Sequence, residues 1–379
     1  MATKYRADQV GSFLRPPRLL EARRAQTEGR ISQDELRQAE DEAILAVLEM
    51  QRQVGIDVYS DGEYRRSGWS SGFPDSVDGY VPGTPAVTPR FQGGPGGVAA
   101  PPAPPPGAPT ALRGRVIGEK LHARHRLTAR ESAFLKAHAP GPFKVTMPAP
   151  SYVVARGYKP GVTDKVYPNR AAVLADAAAI IRDEIKALVD EGVAYIQLDN
   201  PHYPDYIDET RREEWRALSV DPDKSILEDI EADNACLAGF DRTGVTLAMH
   251  LCRGNGGGGA WHTAGGYDRI AEAVFGSIDV DAFLLEYDSE RAGTFEPLRY
   301  MPKGKTVVLG LVTTKAGELE SQELLLRRID EATKHVALAD LALSPQCGFA
   351  SVAQGNPLTW EEQRRKLELV VATARKVWG

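Results

Sequence analysis

Met249-His250-Leu251-Cys252 places an imidazole and a thiol two residues apart. The run before it, Val245 to Ala248, is apolar and predicts a buried strand. On a strand that spacing puts both side chains on one side. A neutral imidazole and a thiolate are donors that zinc favours. Two further apolar runs end comparably, Ala282 to Leu285 in Glu286 and Leu341 to Pro345 shortly before Cys347. The expected centre is one zinc ion on His250, Cys252, Glu286 and Cys347. Each residue alone has a plainer reading: a single Cys is usually a small buried hydrophobe, and a single Glu at a strand end is usually solvated. Their common placement at strand ends favours the metal. A carboxylate beside two thiolates is the ligand that can leave. An incoming thiol that replaces it would be deprotonated at neutral pH, a nucleophile without a dedicated base. Such a set suits alkyl transfer to sulfur better than hydrolysis.

The elements that must position these residues follow a regular order. Ala7 to Ser12 is a short strand-like start. Ser32 with Glu35 forms a capping box, and the amphipathic helix behind it stops at Gly55. Ile56 to Tyr59 predicts a second strand, which runs into the polar loop Ser60 to Arg66. Lys144 to Met147, Ala194 to Asp199, the His250 run, Ala282 to Glu286, Thr306 to Val312 and the Cys347 run complete eight strands. Helices are expected at 128–139, 169–190, 226–237, 270–275, 319–338 and 359–377. Strands that read as apolar runs, alternating with helices, predict an α/β fold, a single (β/α)₈ barrel over residues 1–379. Catalytic groups of that fold sit at the C-terminal strand ends. Ser12, Glu63, Asp199, His250, Cys252, Glu286 and Cys347 all fall there. A doubly wound open sheet is the alternative, but it would not bring the first and eighth strands to one mouth. The Pro/Gly-rich stretch 82–109 cannot support a core and reads as a flexible, dispensable insertion, with an active-site lid as the alternative. Gly256 to Gly259 lacks any phosphate-loop spacing and reads as a flexible loop.

Composition narrows the class. The chain has 379 residues, 42% of them hydrophobic, and a net charge of −6. That balance disfavours nucleic acid or an anionic membrane as partner. No apolar run is long enough to span a bilayer, and Met1 to Val10 has no apolar signal core. Three cysteines in so long a chain fit a reducing, cytoplasmic setting. Cys236, within a helical pattern, reads as core.

The motifs Val10-Gly11-Ser12-Phe13, Asp61-Gly62-Glu63, Ile196-Gln197-Leu198-Asp199, His250-x-Cys252, Glu286 and Ser344-Pro345-Gln346-Cys347-Gly348 span almost the entire chain. In these the protein resembles the catalytic C-terminal barrel of cobalamin-independent methionine synthase, in its short single-barrel form. The resemblance implies that zinc activates homocysteine, which takes a methyl group from 5-methyltetrahydrofolate or another donor in methionine biosynthesis. It implies that Gly11 and Ser12 hold the amino acid's carboxylate, and that Glu63 and Asp199 hold its ammonium. Plainer roles are a Glu63 pair with Arg65 or Arg66, and an Asp199 cap on the turn at Asn200-Pro201. Lys315 stands near the position of the family's proton-relay histidine and is its catalytic candidate. Met147-Pro148-Ala149-Pro150 stands where the family has a tryptophan near the folate. Two other functions remain: alkylation of coenzyme M by an epoxide at a similar zinc, and non-catalytic zinc binding. A uroporphyrinogen decarboxylase type of barrel lacks these ligands and is disfavoured.

Overall fold

The computed structural model of the protein describes residues 4–86, 90–93 and 114–379. An antiparallel pair, β1 (Val77–Pro82) with β2 (Arg115–Ala123), stands outside the main sheet. The main sheet has six parallel strands in chain order: β3 (Lys144–Pro148), β4 (Tyr195–Asp199), β5 (Thr246–Leu251), β6 (Ala282–Glu286), β7 (Thr306–Val312) and β8 (Leu341–Pro345). Every residue of these six strands is buried, as strands covered on both faces must be.

The first two expected strands are present as extended segments, each held by a single parallel bridge. Ala7 bridges Leu343 of β8, and Tyr59 bridges Phe143 just before β3. The Asp57 amide donates to the Ala7 carbonyl at 3.1 Å, so a hydrogen-bonded path runs from β8 back to β3. A regular ladder does not form there for a local reason. The Asp57 carboxylate takes the amides of Arg6 and Ala7, at 2.7 and 2.9 Å, in place of a strand partner.

Register decides which residues meet at the rim. Pro148 pairs with Asp199, and Asp199 pairs with His250. Glu286 pairs with Gly310, and Val312 with Pro345. The C-terminal ends of β3 to β8 therefore form one rim.

Helices cover the sheet largely where expected. Gln33–Val54 carries the full Ser32/Glu35 capping box and ends at left-handed Gly55, φ +82°. Arg170–Asp190 starts at Asn169, whose side chain accepts the Ala172 amide, and buries Val173, Ala177, Ile181, Ile185 and Leu188. The expected helix 319–338 is shorter, Gln322–Ala332, because the Ser321 hydroxyl caps Leu324. A helix at Pro17–Thr27 was not anticipated. Its first turn begins on a proline, whose fixed φ suits that position.

Of the Pro/Gly-rich insertion, residues 87–89 and 94–109 lie outside the described residues. Its described part touches the rest of the protein at Phe91 and Gln92. Gln92 forms an antiparallel bridge with Trp261, at 2.7 and 2.9 Å, and the Phe91 ring meets His262 edge-on at 5.5 Å. Among the described residues, no helix is long and apolar enough to cross a membrane.

Ile181, on the helix Arg170–Asp190, is fully buried. Ile181→Ala should lower stability by about 2–5 kcal/mol in urea unfolding, the range for a large aliphatic side chain cut back in a packed core. A loss below about 1 kcal/mol would contradict the packing described.

Candidate active site

β5 delivers His250 on its rim and Cys252 one step beyond, while Leu251 between them points into the core. Cys347 follows β8 by two residues. The donor atoms of His250, Cys252 and Cys347 all lie within 4.8 Å of one another, and the three residues are buried. His250 Nδ1 is 3.2 Å from the Leu284 carbonyl, an acceptor only, which places the proton on Nδ1. Nε2 is buried and has no hydrogen-bond partner among the described residues. A fixed imidazole with its free lone pair turned to two sulfurs is the arrangement a metal needs.

The two sulfurs shift each other in opposite directions. The hydrogen bond from Cys252 drives the Cys347 thiol well below its ordinary pKa; burial opposes this, and His250 and Lys315 assist. Cys252 is raised in turn by that hydrogen bond, by burial and by the charge on Cys347. Burial opposes a charge on His250, but Cys347, Asp199 and Glu286 outweigh it and raise the imidazole. One imidazole and two sulfurs, buried and convergent, fit zinc by donor type and by the orphaned Nε2.

Glu286, the fourth expected ligand, does not join the group of three. One carboxylate oxygen accepts the Arg253 amide and the other the Arg291 guanidinium, each at 2.7 Å. Burial opposes its charge, yet Lys315, Arg253 and Arg291 hold it below the ordinary carboxylate value. Lys315 Nζ donates to the Gly254 carbonyl at 3.0 Å and to Asn255 at 3.3 Å. The glycine run reads differently in three dimensions. Gly256 bonds Ala260 at 2.9 Å, and a Cβ on Gly259 would stand 2.8 Å from the Lys315 carbonyl. Gly256 and Gly259 stand where a side chain would collide with Phe91 and the Lys315 carbonyl.

Glu63, Asp199, Gly11 and Ser12 form the other half of the mouth. Glu63 has φ +59°, a left-handed value that a non-glycine residue adopts only when its surroundings hold it. Here its amide donates to Asp61 at 2.9 Å and its carbonyl accepts Arg15 at 3.1 Å. One carboxylate oxygen accepts the Thr146 hydroxyl at 2.8 Å, and the other is buried without a partner among the described residues. The plainer role for Glu63 is met in part, by a long ion pair with Arg66. Arg66 stops 3.9 Å away and hydrogen-bonds Glu131 at 2.7 Å, while Arg65 pairs with Asp41. Burial raises the Glu63 carboxyl, against Arg66. Asp199 is pushed up to about 7 by burial, with His250 opposing and Glu63 adding to the rise. The turn after β4 is capped by its neighbour: Asn200 accepts the His202 amide at 3.1 Å and leaves Asp199 free of that task. A Cβ on Gly11 would stand 2.9 Å from a Glu63 carboxylate oxygen, and one on Gly348 would stand 2.0 Å from the Ser12 hydroxyl. Gly11 and Ser12 thus sit against Glu63 on one side and the residue after Cys347 on the other.

Sequence reasoning missed two features. Arg253 is fully buried and clamps the rim, donating to the carbonyls of Gly265, Glu286 and Ala292 at 2.8, 2.9 and 3.1 Å. Behind β4, Asp205 accepts Arg156 at 2.9 Å and meets His262 at 3.1 Å and His202 at 3.2 Å. The available signal was a set of polar residues in the apolar neighbourhood of a strand end. No indole follows β3 directly; Trp69 lies against Tyr152, with ring centroids 4.5 Å apart and planes tilted by 50°.

Residues 6–87 and 145–376 match the family described as the catalytic domain of cobalamin-independent synthase. The uncharacterized protein YxjH of Bacillus subtilis is 37% identical over 378 residues, 99% of this chain and 95% of that protein. Methionine synthase of Pyrococcus abyssi is 24% identical over 349 residues, 90% of this chain and 85% of that protein. Among solved structures, the putative vitamin-B12 independent methionine synthase from Listeria monocytogenes superposes with a TM-score of 0.75 at 28% identity, covering 100% of this chain and 99% of that one. A B12-independent methionine synthase from Shewanella sp. W3-18-1, in complex with selenomethionine, shares the fold at a TM-score of 0.71 and 18% identity, over 99% and 98% of the two chains. The arrangement of strands and the match over most of the chain agree: this protein belongs to the family of cobalamin-independent synthase catalytic domains.

Proposed function

We propose that the protein methylates the thiol of homocysteine to give methionine, using a zinc ion held by His250, Cys252 and Cys347. The observation that carries this reading is a juxtaposition. Asp199 is the register partner of His250, so a buried carboxylate suited to an ammonium lies on the same rim as the three-donor group. Zinc held there would keep a coordinating thiol deprotonated at neutral pH. The chain's own residues do the rest. The partnerless Glu63 oxygen and Asp199 receive the substrate ammonium, whose charge offsets the cost of burying two carboxylates. The Gly11–Ser12 turn, against Glu63, receives the carboxylate. Glu286 is the exchangeable fourth ligand: Arg291 and the Arg253 amide offer its carboxylate a resting position away from the sulfurs. Lys315 adds positive charge that favours the anionic form of Glu286 and, after Cys252 and His250, of Cys347. The thiol proton leaves to solvent, and the sulfur lone pair forms the new S–CH₃ bond. The methyl–donor bond breaks with its electron pair staying on the donor, which is protonated from solvent.

Coenzyme M fits this mouth poorly. It has no ammonium for Glu63 and Asp199, and its sulfonate would face both carboxylates. A zinc-binding protein without catalysis would have no use for that carboxylate pair.

Cys252→Ser and Cys347→Ser should each lose nearly all zinc in elemental analysis of the purified protein, because removing one of few strong ligands undermines the set. Full zinc in both variants would sink the assignment. Asp199→Asn should keep its zinc but raise KM for homocysteine by about tenfold or more, the effect of losing roughly 1.4 kcal/mol of charge pairing. An unchanged KM, or a preference of the unaltered protein for coenzyme M, would overturn the amino-acid site.

A further inference from the structure

Beneath the mouth, a small polar cluster is buried within the sheet. Lys144 on β3, Gln197 on β4, Asp8 and Tyr195 are all buried there. Lys144 Nζ donates to Asp8 at 2.6 Å, to the Gln9 carbonyl at 2.5 Å and to the Gln197 side-chain oxygen at 3.0 Å. The Tyr195 hydroxyl donates to the second Asp8 oxygen at 2.9 Å. An ammonium group can only donate, so it dictates the orientation of the Gln197 amide: oxygen towards Lys144, nitrogen away from it. The Gln197 nitrogen then spends its two N–H groups on two targets. One is the Val10 carbonyl at 2.6 Å, immediately before Gly11 and Ser12. The other is Asp199 at 2.8 Å.

A single side chain therefore ties the residue proposed for the ammonium to the turn proposed for the carboxylate. Stability alone does not account for it, because well-packed apolar residues of similar volume often serve a buried interior as well as a charged network. We propose that Gln197 is a positioning residue that sets the spacing between Asp199 and the Gly11–Ser12 turn, and with it the affinity for the amino-acid substrate, without taking part in metal binding. This rests on the amino-acid reading given above. The Lys144–Asp8 pair is its anchor: it holds the amide from below so that both N–H groups face the mouth.

Two variants test this. Gln197→Met keeps the volume and removes every hydrogen bond. Gln197→Glu keeps an oxygen for Lys144 and removes both N–H donors. On the zinc-loaded, full-length protein, methionine binding is measured by calorimetry, homocysteine kinetics by steady-state assay, and zinc by elemental analysis. Zinc content and kcat should stay within about twofold, while KM and the methionine Kd rise about tenfold, about 1.4 kcal/mol, in Gln197→Met. The rise should be larger in Gln197→Glu, which adds a carboxylate facing Asp199. Should Gln197→Met fail to fold, Gln197→Glu carries the same comparison, since its contact with Lys144 is retained. Unchanged Kd and KM in a folded variant, or a fall in kcat with KM unchanged, would overturn the positioning role alone. No binding of methionine or homocysteine by the unaltered protein would instead overturn the amino-acid reading, and this inference with it.

Discussion

Negative charge gathered in a buried mouth is the constraint to which the rest of the structure answers. Glu63, Asp199, Glu286 and Cys347 are all buried at one rim. Each ion taken out of water costs several kcal/mol unless it is paired or keeps its proton. The rim uses both remedies, but on different sides. On the Glu286 side, Lys315, Arg253 and Arg291 supply positive charge, and the hydrogen bond from Cys252 lowers the Cys347 thiol. On the Glu63–Asp199 side, Glu63 has only a long ion pair, 3.9 Å to an Arg66 that is bound to Glu131, and Asp199 has none among the described residues. Both carboxyls there are raised by burial. That uneven supply of cations is what a substrate ammonium would complete, and the paired sulfurs are what a zinc dication would complete.

The fold meets this constraint through register. Six parallel strands in chain order leave their C-terminal ends on one rim, so residues distant in sequence become neighbours. A slip of one residue would turn Asp199 or His250 to the opposite face. The register is held at the rim itself as well as along the strands. The Asn200 amide donates to the His250 carbonyl at 2.9 Å, and the Gln346 amide to that of Val312 at 2.8 Å. Gly11, pressed against Glu63, and Gly348, pressed against Ser12, let loops from opposite ends of the chain meet without side chains between them.

Much of this was legible in the sequence because it is periodic or local. Apolar runs ending in a polar residue marked the strands, and a two-residue step marked the His250–Cys252 pair. The Ser32 capping box was readable from its own four residues. What escaped depends on contacts without a local signature. Arg253 and Arg156 are charged residues that composition assigns to the surface, and only the assembled rim gives them buried partners. The hairpin of β1 and β2 brackets the Pro/Gly-rich stretch, whose composition hid the pairing. The reduction of the first two strands to single bridges follows from one carboxylate, Asp57, taking the amides a strand partner would use. Glu286 was placed correctly at its strand end, but the direction of its carboxylate is decided by Arg291 and the Arg253 amide.

The central claim is that a homocysteine thiol is activated at the His250, Cys252 and Cys347 centre, and proton release tests it most directly. Homocysteine is added to the zinc-loaded protein at pH 7 in weak buffer with a pH indicator, with Cys252→Ser as the blank. A free thiol of pKa about 8.5 is mostly protonated at that pH. Close to one proton per site is therefore expected from the unaltered protein, and none from the blank. Binding of homocysteine by the unaltered protein with no proton released would mean that the thiol keeps its hydrogen in the site, and would contradict thiol activation at this centre.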